Sequence, residues 1–139
     1  MCWRTGAVNT VNGAGIVADE LGATGNIDVG GCPTVSTVGN NATAISSQNS
    51  SATGSITINC GALTTTGDNS NGVFAVASGG NVLANIGSAT TAGVGSYGLT
   101  ANTSGTGTVT TNAGPIVTTG LGATGLFGRA GTGALDIGF

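Results

Sequence analysis

The sequence predicts one all-β domain over residues 1–139, folded as a parallel β-helix (β-solenoid) of about five coils. Three observations predict this class. Strong helix formers are scarce, because the chain contains 28 Gly and only seven charged residues. Valine, isoleucine and threonine recur in short groups, as strands prefer. A unit of about 27 residues repeats along the chain. Disorder is the alternative for so much glycine and serine, but moderate hydrophobicity and a net charge of only −3 argue against it.

The first strand of each unit begins with an apolar residue and carries a threonine two positions later. Its five copies are "VNTVN", "VSTVG", "LTTTG", "ATTAG" and "IVTTG", and their starts are separated by 27, 28, 26 and 27 residues. The third position is always threonine, and the fifth is glycine in the last four copies and Asn12 in the first. The aligned threonines are Thr10, Thr37, Thr65, Thr91 and Thr118.

Two further apolar groups complete each unit. The second strand is "GIVA", "TAIS", "GVFA", "GLTA" and "GLFG" in the five copies, and the third is "NIDV", "SITI", "VLANI", "TVTT" and "ALDI". Gly, Asn and Ser separate the groups, as expected for corners that need left-handed backbone angles. Each coil therefore holds three short strands and no helix, and stacked coils share one core. A wound antiparallel barrel is the alternative, but it would need hairpin turns instead.

Side-chain alternation assigns faces to these strands. In the first strand, the leading apolar residue and the threonine point inward. An ice-binding surface would need Thr at both outward positions, which only the coil with Thr64 and Thr66 provides. In the second strand, alternation turns one position of each coil outward. These residues form an apolar stripe, which Thr100 interrupts. The apolar members are predicted to be a binding surface for adhesion or self-association, and they are Val17, Ile45, Phe74 and Phe127. A covering loop, or a register that is off by one, is the alternative.

Cys32 and Cys60 each lie three residues before a first strand, so they occupy one column of consecutive coils. Equivalent Cα atoms of adjacent coils are about 5 Å apart, within disulfide range. A disulfide, which would fit an exported protein, and two stacked reduced thiols are both compatible with the sequence.

The composition also bears on partners and chemistry. Two arginines cannot neutralise a phosphate backbone, so nucleic-acid binding is not expected. No apolar run is long enough for a transmembrane helix, and the N-terminus lacks the features of a signal peptide. The chain has no His or Lys, and its carboxylates are scattered, so no catalytic constellation is predicted. No metal site and no cofactor is predicted either.

The units resemble the repeats of autotransporter passenger domains of Gram-negative bacteria, most clearly in "NCGALTTTGDNSNGVFAVASGG" and "NAGPIVTTGLGATGLFG". The resemblance implies a right-handed parallel β-helix that is exported through the outer membrane and displayed on the cell surface for adhesion or aggregation. Since no catalytic constellation is predicted, no enzymatic activity is expected. The resemblance also implies an export barrel elsewhere in the parent chain, so these residues would be a passenger fragment. The expected partners are a host or neighbouring-cell surface, or other copies. A segment of a carbohydrate-active β-helix enzyme and an ice-binding solenoid are the alternative functions.

Overall fold

The computed structural model describes residues 2–4, of which only the backbone is considered, and residues 6–139. Strands and turns make up the described chain, with no helix in it and therefore no helix able to cross a membrane. The strands are β1 Cys2–Arg4, β2 Val8–Val11, β3 Ile16–Glu20, β4 Ile27–Val38, β5 Ile45–Asn49, β6 Ile56–Thr66, β7 Val73–Ala77, β8 Val82–Ala92, β9 Tyr97–Thr103, β10 Val109–Ala113, β11 Ile116–Thr119, β12 Thr124–Arg129 and β13 Leu135–Gly138.

Every strand pair is parallel, and the strands form two sheets that each run through all the coils. Sheet A has the order β1-β4-β6-β8-β10-β13, with β2 on β4 and β11 on β8. Sheet B has the order β12-β9-β7-β5-β3. The chain makes about five turns of about 27 residues, so the predicted parallel β-solenoid is confirmed. In the central coils the third strand runs directly into the next first strand, forming the long β4, β6 and β8.

The first-strand columns predicted from the spacing are confirmed by the register. Val35 pairs with Leu63, and Leu63 with Ala89, while Val8 and Ile116 extend the column at its two ends. The three central members are fully buried. Together with the third-strand columns, which contain Ile56, Val82 and Val109, they form the core between the sheets. Burial of this shared apolar surface is what stabilises strands that are too short to be stable alone.

The central threonines of the first-strand column, Thr37, Thr65 and Thr91, are buried. Two of their hydroxyls donate hydrogen bonds to carbonyl oxygens of the turn that follows. Thr65 Oγ1 donates to the Ser70 carbonyl oxygen at 2.8 Å, and Thr37 Oγ1 donates to the Ala42 carbonyl oxygen. Thr91 Oγ1 is buried and has no hydrogen-bond partner among the described residues. In the coils of Thr10, Thr37 and Thr65, the threonine hydroxyl therefore bonds the backbone of its own coil and ties the strand to the turn that follows it.

The glycine that ends the first strand is required by the stacking of this turn. Gly39, Gly67, Gly93 and Gly120 have φ of 120°, 136°, 153° and 151°. A Cβ on Gly67 would lie 2.5 Å from the carbonyl carbon of Gly39 in the coil below. Asn12, which replaces glycine in the first coil, has φ of 57°, a left-handed value that asparagine tolerates.

Cys32 and Cys60 lie opposite each other in β4 and β6, with their Cα atoms 4.9 Å apart. The prediction that they share a column is confirmed. Both side chains are buried, and the structure joins their Sγ atoms as a disulfide between consecutive coils. The register of β4 against β6 shifts between Gly30 and Cys32, at the bend between the two halves of each long strand. Whether the bridge is present in solution is a prediction that thiol titration tests.

Candidate functional site

The outward side of sheet B carries the predicted apolar stripe, with one correction. Val17 is 56% exposed, Phe127 is 44% exposed and Phe74 is half-buried. The outward position of Ile45 was wrong, because Ile45 is 0% exposed and pairs with the inward Ile16 and Val73. The outward column is therefore Val17, Ser46, Phe74, Thr100 and Phe127.

The error arises at the corner that precedes each second strand. In four coils this corner is a glycine, and Gly72 and Gly98 are both buried directly before an inward residue. In the second coil the corner residue is Ala44, so Ala44 and Ile45 are both fully buried. Strict alternation does not hold across the corner, because the backbone bends there and two successive positions face the core. The true inward partner of Ala75 is consequently Ser47, whereas Ser46 faces outward.

Three aromatic rings converge on sheet B at the third to fifth coils. Phe74 and Phe127 occupy one column with Thr100 between them, so about two strand spacings of 4.8 Å separate their backbones. Thr100 is only 6% exposed although it belongs to the outward column. Tyr97 lies beside it, and the Tyr97 and Phe127 rings meet edge to face, with centroids 6.3 Å apart and planes at 69°. We call Phe74, Tyr97, Thr100 and Phe127 the aromatic face.

Two grooves lie on either side of Phe127. The first, of about 230 Å³, is lined by the aromatic face together with Asn71 and Asn102. The second, of about 250 Å³, is lined by Val76, Asn102, Thr103, Ser104, Phe127, Arg129 and Gly131. Asn102 thus contributes to both grooves, and its Oδ1 is buried without a hydrogen-bond partner among the described residues. Asn71 Oδ1 accepts a hydrogen bond of 2.9 Å from the Tyr97 backbone N–H, which fixes this amide at the edge of the first groove.

Sequence reasoning missed Tyr97, Asn102 and Arg129. Tyr97 precedes the corner Gly98, and alternation counted back from the inward Leu99 would wrongly turn it inward. Asn102 and Arg129 share the second outward column of sheet B, which runs through Asp19, Gln48 and Val76. Side-chain alternation two residues beyond the apolar stripe predicts this second outward column, and it would have indicated both Asn102 and Arg129.

The carboxylates lie apart from the aromatic face. Asp28 and Asp136 occupy the same outward column of sheet A, at opposite ends of the stack. Asp68 Oδ1 accepts a hydrogen bond of 2.8 Å from the Val94 backbone N–H of the next coil, so it has a structural role in its turn. Among the described residues, no three His, Cys, Asp or Glu side chains are grouped to hold a metal ion. The absence of enzymatic activity stays a prediction.

The outward side of sheet A carries a repeated column of asparagines beside columns that mix polar and apolar residues. Asn59, Asn85 and Asn112 form a ladder in which each amide nitrogen donates to the amide oxygen of the coil below, at 2.7 and 2.8 Å. The flanking outward columns contain Thr64 and Thr66 in one coil, but Val38 and Val117 are exposed in others. Threonine therefore occupies both outward positions in one coil alone among those described, the coil of Thr64 and Thr66.

A further cavity, of about 530 Å³, lies at the last coil. It is lined by Ala113, Gly114, Pro115, Ile116, Gly125, Leu126 and Phe139. Ile116 and Leu126 belong to core columns that are fully buried in the preceding coils, where Ala89 and Leu99 take their places. This cavity therefore lies against the core columns at the last coil that the structure describes.

Comparisons with known proteins do not assign the chain to a family. No protein-family model, no curated protein and no solved structure matches it.

Proposed function

We propose that this chain is a non-enzymatic structural and adhesive segment of a surface-exposed rod, similar in role to an autotransporter passenger domain. The observation that carries the proposal is the aromatic face. Three of the five aromatic residues in a chain with 4% aromatic content gather on the outward side of one sheet. Exposed aromatic clusters of this kind are typical of contact surfaces rather than of structural repeats.

The stacked architecture supports the mechanical part of the proposal. Five coils at about 4.8 Å each give a rod about 24 Å long. Every coil hydrogen-bonds its neighbours through parallel ladders, so the rod holds attached segments apart without a large globular core. A longer parent with more coils would present several such faces, whose weak contacts add through multivalency. In this proposal the parent is displayed at the cell surface and carries its export barrel elsewhere, and its partner is a host cell, a neighbouring cell or another copy.

Attachment of the purified chain to cells or coated surfaces tests the adhesive function. Phe74→Ser combined with Phe127→Ser removes two rings from the aromatic face, and both side chains are partly exposed, so the coils should stay folded. The matched control is Val38→Ser with Val117→Ser, because these residues are 49% and 50% exposed on sheet A. We expect attachment to fall with the first pair and to persist with the second. Equal attachment by both variants and the unchanged chain, with unchanged circular dichroism, would remove the support for an adhesive face.

A further inference from the structure

The lining of the two grooves points to a specific ligand class. We propose that the aromatic face binds a polysaccharide chain, with one pyranose ring in the groove between Phe74 and Phe127 and the next sugar on the far side of Phe127. This inference rests on the proposed adhesive function and names what the face recognises. The first groove brings three aromatic rings and two side-chain amides together on one surface.

Shape and chemistry both fit a sugar ring. A pyranose has apolar C–H faces that pack on aromatic rings and a rim of hydroxyls that need polar partners. The first groove supplies the rings of Phe74, Tyr97 and Phe127, and its volume of about 230 Å³ accommodates one hexose. The amides of Asn71 and Asn102 stand at its edge. Each amide offers both donor and acceptor atoms, as sugar hydroxyls require.

Asn102 gives an independent indication of a missing polar partner. Its Oδ1 is buried and unpaired among the described residues, although an unpaired buried acceptor costs about 1–3 kcal/mol. Asn102 lines both grooves, so the amide that lacks a partner for its oxygen stands where the sugar hydroxyls would lie. The remaining buried oxygens without a partner belong to Ser47, Thr91, Thr103 and Thr111, which sit in inward columns of the strands.

The second groove extends the site by one sugar. The Phe127 and Arg129 columns are two residues apart along β12, a distance of about 6.6 Å. In this proposal the next sugar therefore lies beside Phe127, within reach of the second groove. Arg129 adds a guanidinium that can bond hydroxyls or the carboxylate of an acidic sugar.

Other ligand classes fit less well. A nucleic acid needs several cationic side chains to bind its phosphates, but the sequence has two arginines and no lysine. Of the two, only Arg129 has a side chain that the structure describes. An extended peptide binds best to a sheet edge, whereas the aromatic face lies across β7, β9 and β12. A lipid surface favours an uninterrupted apolar patch, but amides border these rings.

The first test is binding of the full chain to two soluble polysaccharides, a neutral β-glucan and polygalacturonate, by isothermal titration. We expect Phe127→Ala to weaken binding at least fivefold and Phe127→Tyr, which keeps the ring, to retain it. Phe139→Ala is the matched control, because Phe139 is an exposed ring outside the face. Arg129→Gln then separates the two sources of the sugar, because it removes the charge that attracts a carboxylate and should weaken binding of the acidic polymer more than binding of the neutral one. No binding of either polymer, or equal loss with Phe127→Ala and Phe139→Ala, would overturn the proposal.

The second test separates this inference from the adhesive function. Attachment is measured to cells before and after periodate oxidation, which destroys sugar rings. Attachment that needs Phe127 and is lost after oxidation supports the polysaccharide ligand. Attachment that needs Phe127 but survives oxidation overturns the ligand and leaves the adhesive function standing. No attachment before oxidation rejects the adhesive function, whatever the titrations show.

Discussion

Replacing Gly67 with alanine should strongly destabilise the solenoid, because the added Cβ meets both an unfavourable backbone conformation and the backbone of the neighbouring coil. Gly67 has φ of 136°, and an added Cβ would lie 2.5 Å from the Gly39 carbonyl carbon and 2.9 Å from the Asn40 backbone nitrogen. These atoms are backbone of the coil below, so no side-chain rotation relieves the contact. The coils must separate locally or the turn must change conformation.

The magnitude follows from two contributions. A non-glycine residue in the left-handed region costs about 1–2 kcal/mol. Overpacking against rigid neighbours adds about 1–3 kcal/mol. We therefore expect Gly67→Ala to lower the free energy of unfolding by about 3 kcal/mol, and the melting temperature by about 10 °C for a chain of this size.

Two control variants separate these contributions. Gly122 has φ of 70°, but a Cβ there would meet nothing within 4 Å, so Gly122→Ala isolates the conformational cost of about 1 kcal/mol. Gly13 has neither a positive φ nor a neighbour within 4 Å, so Gly13→Ala should change stability by less than about 0.5 kcal/mol. Thermal unfolding followed by circular dichroism measures all three. If Gly67→Ala and Gly122→Ala unfold at the same temperature, the coil-to-coil contact does not explain the glycine column.

Three further predictions test the core and the coil-to-coil bridge. Ile45→Ser should lower the free energy of unfolding by about 4 kcal/mol, because Ile45 is fully buried. A decrease below about 1 kcal/mol in denaturant titrations would contradict the burial of Ile45 and indicate an outward position. Thr65→Val should cost about 1 kcal/mol through its lost hydrogen bond, whereas Thr91→Val should be neutral or stabilising because its hydroxyl is unpaired; equal melting temperatures would contradict this difference. A Cys32–Cys60 bridge spans 28 positions, so its reduction should cost about 3.5 kcal/mol. Denatured, unreduced protein should then titrate with one thiol, and three thiols would reject the bridge.

Much of the fold was predictable because the stack imposes the same requirement on every coil. A glycine is needed wherever a Cβ would meet the carbonyl below, and a threonine is needed where a hydroxyl must reach the turn. These requirements appear in the sequence as columns at a nearly fixed spacing, so the first-strand register could be read directly. The burial of both Ala44 and Ile45 could not be predicted in this way, because Ala44 stands at the corner position that is glycine in the other four coils. Tyr97 was missed for a different reason: it lies before the corner Gly98, and side-chain alternation does not hold across a corner.

The same reasoning indicates where function should be sought in a solenoid of this kind. Positions with a structural role repeat: the glycines of the first turn, the inward threonines, and the asparagine ladder formed by Asn59, Asn85 and Asn112. The outward column of sheet B does not repeat, because it reads Val, Ser, Phe, Thr and Phe through the five coils. Parallel stacking makes no demand on those side chains, so their identity is free to serve recognition. The aromatic face occupies the part of this column where the rings concentrate, and its effect on binding should therefore be separable from stability by substitution.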